Sequence, residues 1–291
     1  MKQEVGALSN VRIVDLTDER AIYGAKLLAD MGADVVRPES PNGDPLRSRG
    51  PYCEDNANEP SLWHAFFASN RRFISLDLEA QTGRDQLVGL VGNADVVLVS
   101  EGAFGVAEAN LEVALDVNPA LVCVECSSFG RDGPWKDFLA PDLVAGALGG
   151  SVSTTGDVDT PPLKAFGDLN FIVSGCYVAV AALSALYHAK ETGQGQRVDV
   201  PVHQCIASCL EHVLMWYWYS ELLGPARGQS LERRGSLHWS NMYVVMQALG
   251  GTIMVTPTPD VDAQLAWLIE AGEHEDLIEP EYQDPTNQSL F

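Results

Sequence analysis

Short β-branched segments alternate with helical patterns over the first 130 residues of the chain. The apolar segments are VRIVDL (11–16), ADVVRPE (33–39), RFISLDL (72–78), ADVVLVS (94–100) and ALVCVECSSFG (120–130). Helical periodicity lies between some of them, in AIYGAKLLADMG (21–32) and GRDQLVGLVGNA (83–94). Continuous Val, Ile and Leu runs separated by helices are typical of a parallel sheet that is covered on both faces. The pattern therefore predicts an α/β fold with a Rossmann-like, doubly wound parallel sheet.

Two long apolar segments follow this alternating region. Residues 169–190 are mostly apolar with many small side chains, and the GQGQ turn at 193–196 ends this pattern. A short strand over 196–202 and a second apolar pattern over 203–224 come next. Such segments predict long buried helices. The turn after the first strand, LTDERAIYG, contains no GxGxxG, which argues against a nicotinamide dinucleotide.

The charge balance excludes several classes of partner. The 291 residues include 40 acidic and 18 basic ones, so the formal net charge is −22. Nucleic acids and anionic membranes are themselves negative, so neither is expected to bind. The amino terminus has no signal-like apolar region, and no apolar run reaches the roughly 18 residues of a membrane span. We therefore expect a cytoplasmic protein.

Six cysteines are scattered along the chain, and their spacing does not indicate a metal site. Cys123 and Cys126 form a CxxC, but LVCVECSS has the composition of a strand. Side chains three positions apart on a strand point to opposite faces, so these two thiols cannot share a ligand. We expect reduced, mostly buried thiols and no bound metal.

The stretch KAFGDLNF, residues 164–171, contains an isolated carboxylate. Asp168 follows a glycine and stands directly before an apolar helical pattern, with no histidine or cysteine nearby. Asp is a favoured helix N-cap residue, so a purely structural role explains its position. A chemical role for this carboxylate needs support from other parts of the chain.

Three stretches, the last of which contains KAFGDLNF, resemble one family in their order and spacing. They are LLADMGADVVRPESPNGDPLR (27–47), NRRFISLDLEAQTGRDQL (70–87) and PPLKAFGDLNFIVSGCYVAVAALSALYHAKETGQGQRVDVPVHQ (161–204). Together they are similar to the family III, or CaiB/BaiF-type, CoA-transferases, which include formyl-CoA and carnitine CoA-transferases and the α-methylacyl-CoA racemases. The resemblance covers roughly residues 9–275.

The resemblance implies a function for Asp168. The nucleophile of the family matches Asp168, which would attack an acyl-CoA and carry CoA to a carboxylic acid acceptor through a covalent aspartyl intermediate. Gly167 would admit the bulky thioester, and Asp142 would be a second carboxylate of the site or an N-cap for LVAGAL. CoA and acyl-CoA would be substrates, with no permanently bound cofactor.

The resemblance also bears on the type of reaction and on the binding of the CoA phosphates. The catalytic histidine of the racemase branch matches Pro141, which cannot transfer a proton, so CoA transfer is favoured over racemisation. The matching phosphate contacts would be the basic residues Arg71, Arg72, Arg47 and Lys136. Where relatives usually have an arginine, SEGAFGVAEANL has none.

Length and charge suggest a partner chain. Members of the family usually continue for about a hundred residues more. By the resemblance, residues 1–225 would form the large domain, and residues 226–291 would form a linker and part of a smaller domain. The family fold is an interlocked dimer, which predicts a homodimer, or a heteromer with a chain that supplies the remaining segment. No Lys or Arg follows Arg234, and this acidic end is either a solvated face or a surface for a basic partner. A non-catalytic subunit that keeps Asp168 as a helix cap is the alternative.

Overall fold

The structure is a computed structural model that describes most of the first 210 residues and part of the remainder. The described residues are 6–53, 59–100, 102, 113, 115–138, 140–156, 160–210, 213, 218, 244–255, 261–272 and 279. Residues 226–243, the first part of the predicted linker and partial small domain over 226–291, lie outside this set. The division into domains at residue 225 stays a prediction.

A six-stranded parallel sheet is the centre of the described region. Its order is β3-β2-β1-β4-β5-β6, and every neighbouring pair is parallel. The strands are β1 (Arg12–Leu16), β2 (Asp34–Glu39), β3 (Arg72–Ser75), β4 (Val96–Ser100), β5 (Val122–Ser127) and β6 (Gln196–Pro201). The chain leaves β1 for β2 in one direction and returns to β4 on the other side of β1, as in a doubly wound Rossmann-type sheet. This confirms the predicted α/β fold.

Helices cover both faces of the sheet. They are α1 (Ile22–Asp30), α2 (Leu62–Phe67), α3 (Gln81–Gly92), α4 (Asp142–Gly149), α5 (Leu169–Thr192) and α6 (Val202–Ser208). Alternate side chains of β1 and β4 enter two separate cores, because successive strand residues face opposite sides. One core joins Ile13, Val96 and Leu98 to α1 and α5. The other joins Val14 and Val97 to α3.

Cys123 and Cys126 illustrate this alternation. Both lie on β5, and Cys126 enters the core beneath α1 and α5 while Cys123 enters the core beneath α3. The prediction that the two thiols face opposite sides of a strand is confirmed. Both side chains are fully buried.

Helix α5 packs unusually close to α1. A Cβ atom placed on Gly24 of α1 would lie 2.5 Å from the Gly175 carbonyl oxygen of α5, so these glycines let the two backbones touch. By length and composition α5 could also cross a membrane, contrary to the sequence prediction that no segment would. Its buried residues, however, pack on the sheet and on α1. Burial in a protein core explains the same composition.

The second predicted long helix is interrupted. Helix α6 ends at Ser208 and a turn follows at residues 209 and 210, so the apolar pattern over 203–224 is not one continuous helix. Further along, β7 (Val244–Ala248) and β8 (Gly251–Val255) form an antiparallel hairpin, and α7 (Val261–Ala271) follows.

Candidate functional site

The loops after β1 and β4 meet at the carboxyl edge of the sheet, where the strand order reverses. Ligands of open α/β sheets bind at such a switch point. A pocket of about 890 Å³ lies there, and a second pocket of about 450 Å³ adjoins it. Both are lined by Asp18, Glu19 and Arg20 after β1 and by Gly102 after β4. The larger pocket is of a size that accepts a nucleotide-like ligand.

Asp168 occupies the N-cap position of α5, yet its side chain does not cap the helix. No backbone N–H of α5 is bonded to its carboxylate. Instead, Oδ2 of Asp168 accepts a hydrogen bond of 2.5 Å from Nη2 of Arg49, and the Asp168 side chain is 29% exposed. The position predicted by the N-cap pattern is correct, but the capping bond is absent.

Asp142 caps α5 in place of Asp168. This residue begins α4, and its side chain is 5% exposed. Its Oδ1 accepts a hydrogen bond of 3.1 Å from the Phe171 backbone N–H, and its Oδ2 accepts one of 2.8 Å from the Asn170 side-chain amide. The Phe171 N–H is a backbone donor of the first turn of α5, which a cap normally satisfies, and the Asn170 amide is a side-chain donor of the same turn. Asp142 was expected to cap its own segment or to join the site chemistry, and the structure places it instead as the cap of a second helix.

Lys164 fixes the loop that carries Asp168. Its Nζ forms an ion pair of 3.0 Å with Oδ2 of Asp142 and donates hydrogen bonds to the carbonyl oxygens of Gly167 and Ala165. Gly167 has φ of +68°, in the left-handed region that favours glycine. A Cβ atom at Gly167 would meet none of the described residues within 4 Å, so this side of the loop is open to the described part of the chain.

Arg49 connects Asp168 to the edge of the pockets, and the sequence did not indicate it. Its guanidinium lies over the Trp63 ring at 4.6 Å, and its Nη1 is 3.9 Å from Oε1 of Glu19. The Ser61 hydroxyl donates to the Arg49 carbonyl oxygen. Arg49 and Asp168 are 119 positions apart, so no local pattern could pair them. Through Glu19, this pair adjoins both pockets.

A buried cluster of charges supports the floor of the larger pocket. Arg37 donates to Oδ2 of Asp15 at 3.0 Å and to Oδ2 of Asp44 at 2.7 Å, and Arg71 donates to Asp15 at 2.6 Å. Burial alone would raise the pKa of Asp15, but the charges of Arg37 and Arg71 outweigh it and hold that pKa below its ordinary value. Each buried charge is thus compensated, which fixes the loops after β1 and β2.

The four basic residues predicted to contact phosphate do not converge. The Arg71 side chain is fully buried in the cluster just described. Arg72 pairs with Asp34, the first residue of β2, at 2.6 Å. Arg47 pairs with Glu39 at 2.9 Å and lies over the Phe73 ring. Lys136 is exposed, next to the pocket residues 137 and 138.

These positions correct the predicted phosphate site. Arg71 does not fit that role, because its guanidinium serves Asp15 in the interior. Arg72 does not fit it either, because its partner begins β2 at the amino edge of the sheet, away from the pockets. Among the residues that the structure describes, two cations line the larger pocket, Arg20 and Arg37, and each is paired with a carboxylate. The acids Asp18, Glu19, Asp44, Asp77 and Glu79 line the same pocket.

Comparison with known proteins identifies the family. The model of CoA-transferase family III matches residues 8–289. Succinyl-CoA:mesaconate CoA-transferase of Haloarcula hispanica is 34% identical over 284 residues, which cover 94% of this chain and 69% of that protein. Formyl-CoA:oxalate CoA-transferase of Streptomyces avermitilis is 35% identical over 203 residues, which cover 69% of this chain and 49% of that protein.

A solved structure agrees with this assignment. The crystal structure of a CaiB/BaiF family protein from Brucella suis superposes with a TM-score of 0.81 and 26% identity. The match covers 99% of this chain and 75% of that one. Sequence and fold thus give the same answer, and the chain belongs to CoA-transferase family III.

Proposed function

We propose that this chain transfers CoA from an acyl-CoA to a carboxylic acid with Asp168 as the covalent nucleophile. The observation that carries the proposal is the capping of α5 by Asp142. Asp142 accepts the hydrogen bond of the Phe171 N–H at the start of α5. The Asp168 carboxylate therefore stands at the positive end of the α5 dipole without a capping bond. The carboxylate is therefore available for attack on a thioester carbonyl.

The reaction proceeds as four carbonyl substitutions. First, an Asp168 oxygen attacks the acyl-CoA carbonyl carbon, a C–O bond forms, and the C–S bond breaks to release CoA thiolate. Second, the thiolate attacks the aspartyl carbonyl carbon of this mixed anhydride, and the donor acid leaves as a carboxylate. Third, the acceptor carboxylate attacks the aspartyl-CoA thioester and expels thiolate. Fourth, the thiolate attacks the acceptor acyl carbon of the second anhydride, which restores Asp168.

No proton moves in these four steps, so the site needs no general base. This agrees with Pro141 at the position that matches the racemase histidine, because proline can neither donate nor accept a proton there. Pro141 lines the smaller pocket and is the N-cap of α4. Racemisation at the carbon next to the thioester requires proton transfer, so CoA transfer is the better proposal.

The neighbourhood of Asp168 favours entry of a thioester. The open side of Gly167 leaves space for the acyl carbon to approach the carboxylate. We place the CoA nucleotide in the larger pocket at the sheet edge, with Arg47 and Lys136 as candidate phosphate contacts near it. The relatives are named for succinyl-CoA, mesaconate, formyl-CoA and oxalate, so short carboxylic acids are the first acceptors to test.

A heteromeric arrangement is a second candidate. Succinyl-CoA:(R)-benzylsuccinate CoA-transferase subunit BbsE of Thauera aromatica is 31% identical over 247 residues, and its name describes a subunit. The excess of carboxylates around the larger pocket is consistent with a chain that binds CoA with help from a partner. Val180 and Tyr187 of α5 are exposed apolar residues that a second chain could cover. The homodimer and the cytoplasmic location remain predictions.

Trapping of the intermediate tests the proposal. The purified chain is incubated with succinyl-CoA, formyl-CoA and acetyl-CoA, treated with hydroxylamine, and digested for peptide mass spectrometry. Hydroxylamine converts an aspartyl thioester or anhydride to a hydroxamate, which we expect on the peptide that contains Asp168. Asp168→Asn preserves the shape of the side chain and should give no adduct.

Asp132→Asn is the matched control, because Asp132 is an exposed loop residue. This variant should give the same hydroxamate on the Asp168 peptide as the wild type does. An adduct on another residue, or labelling that survives in Asp168→Asn, would refute the nucleophile assignment. Absence of an adduct both alone and with a candidate partner chain would favour the non-catalytic subunit.

A further inference from the structure

Arg49 is held in place independently of Asp168. Its guanidinium lies over Trp63, and its carbonyl oxygen accepts a hydrogen bond from the Ser61 hydroxyl. The cation therefore has its own support from α2 and the residue that caps that helix. A guanidinium has five N–H donors, and among the described residues Asp168 is the one side chain that accepts a hydrogen bond from Arg49. The Arg49 side chain is 31% exposed, so a substrate can reach it.

The proposed reaction changes the charge opposite Arg49. In the resting protein, the Asp168 carboxylate balances the guanidinium at 2.5 Å. Once Asp168 is an anhydride or a thioester, it is neutral, and the guanidinium loses its hydrogen-bonded partner. Glu19 lies 3.9 Å away, too far for a hydrogen bond. Among the described residues, Arg49 then has the Glu19 carboxylate at 3.9 Å as its remaining ion-pair partner and has no hydrogen-bonded carboxylate beside the reacting carbonyl.

A carboxylate is released or consumed at this place in each half reaction. The donor acid leaves when CoA thiolate breaks its C–O bond to the aspartyl group, and the electron pair of that bond becomes carboxylate charge. The acceptor acid arrives with the same charge and forms the corresponding C–O bond. Planar bidentate pairing with a carboxylate is the geometry that a guanidinium supplies best.

We propose that Arg49 is a catalytic residue that binds the substrate carboxylate whenever Asp168 is covalently modified. The inference rests on the proposed nucleophilic role of Asp168. Arg49 exchanges the Asp168 carboxylate for the leaving donor acid and then for the attacking acceptor acid. It thus selects carboxylates as acceptors and keeps the acceptor oxygen within reach of the aspartyl carbonyl.

Nearby cations are engaged elsewhere. The Nζ of Lys164 is bound to Asp142 and to the carbonyl oxygens of its own loop. The Arg20 guanidinium forms hydrogen bonds with both oxygens of Asp18. Among the described residues, Arg49 is the cation that the structure places in hydrogen-bond contact with the Asp168 carboxylate.

The test separates acid binding from acyl-CoA binding. Arg49→Gln and Arg49→Lys are compared with the wild type in steady-state transfer from the acyl-CoA that labels Asp168 to the best acceptor acid. We expect KM for the acid to rise roughly 10- to 100-fold in Arg49→Gln, the loss of one charge-assisted hydrogen bond. KM for the acyl-CoA should stay within about twofold. The KM for the acid in Arg49→Lys should lie between the values of the wild type and Arg49→Gln, because lysine keeps the positive charge but lacks the planar guanidinium.

Arg12→Gln is the matched control, since Arg12 pairs with Asp34 at the amino edge of the sheet. Hydroxylamine trapping with acyl-CoA alone should still label Asp168 in Arg49→Gln. Labelled Asp168 with an unchanged KM for the acid would overturn the role of Arg49 and leave the proposed function intact. Equal increases of both KM values would also overturn it. If Arg49→Gln does not fold, Arg49→Lys decides, and a wild-type KM for the acid in that variant overturns the proposal. No label in the wild type would instead refute the proposed function.

Discussion

Replacement of Asp142 by alanine should destabilise the protein far more than replacement of Asp168. The Asp142→Ala change removes the cap bond to the Phe171 N–H, which contributes about 1 kcal/mol. It also removes the carboxylate acceptor of the Asn170 amide, which keeps its bond to the Asp142 carbonyl oxygen, and a buried N–H that loses its acceptor costs about 1–3 kcal/mol. Together these losses amount to about 3 kcal/mol of the free energy of unfolding. At roughly 2–4 °C for each kcal/mol, Tm should fall by about 6–12 °C.

The Asp168→Ala change removes much less. Its carboxylate makes no bond to α5, and its ion pair with Arg49 is partly exposed on both sides, so solvent screening limits the loss to about 0–1 kcal/mol. The expected change in Tm is therefore at most about 4 °C. This order is the reverse of what the N-cap pattern at Asp168 predicts from sequence.

Differential scanning calorimetry of the two variants, with Asp142→Asn as the isosteric control, measures the difference. Asp142→Asn keeps one carbonyl oxygen for the cap bond, so its Tm should lie between those of the wild type and Asp142→Ala. If Asp168→Ala lowers Tm as much as Asp142→Ala does, the assignment of the cap to Asp142 is refuted. The argument that Asp168 is left available for chemistry would then lose its main support.

Three further predictions concern the core. Arg37→Met should lower the free energy of unfolding by about 3–5 kcal/mol, because it leaves Asp15 and Asp44 buried without their shared cation; urea unfolding measures this. Burial raises the pKa of Asp44, but hydrogen bonds and the Arg37 charge outweigh it and hold that pKa well below its ordinary value. Stability from Asp44 is therefore present above about pH 4 and lost as the pH falls further, and acid titration of Asp44→Asn should lack this component. Burial raises the pKa of the Cys205 thiol to about 12, so iodoacetamide at pH 8 should label exposed Cys176 well before Cys205.

Each of these predictions has a contradicting outcome. A urea midpoint of Arg37→Met equal to that of the wild type would show that the buried ion cluster does not stabilise the fold. An identical loss of stability below pH 4 in Asp44→Asn and the wild type would remove Asp44 from the acid transition. Equal labelling rates for Cys205 and Cys176 would show that the environment of Cys205 is open to solvent.

The local sequence pattern predicted most of the sheet, because buried parallel strands are short continuous apolar runs, whereas the helices between them repeat their apolar residues with a helical period. The buried runs of β1, β4 and β5 lie within one to three residues of their predicted limits. Strand β3 ends at Ser75, before the predicted Leu78, because its last paired residue faces Glu39, where β2 itself ends. Helix α2 was not predicted, since its six residues are too short for a helical period to be recognised.

Only part of the site was predicted, because some of its residues come together from positions far apart in the chain. The resemblance singled out Asp168. Arg49 had no signal, because its contact with Asp168 exists only when loops 119 residues apart meet. The resemblance matched Arg71 and Arg72 to phosphate contacts, because a short motif does not reveal which cations pair with acids elsewhere in the fold.

The sequence by itself determined the parallel α/β sheet, the family resemblance and the carboxylate that begins α5. These depend on periodicity and on short motifs, which are local properties of the chain. Tertiary structure decided which carboxylate caps α5, which arginine meets Asp168 and which basic residues are buried. These depend on where desolvated charges find partners across the fold, and such pairing is fixed by packing rather than by neighbours in sequence.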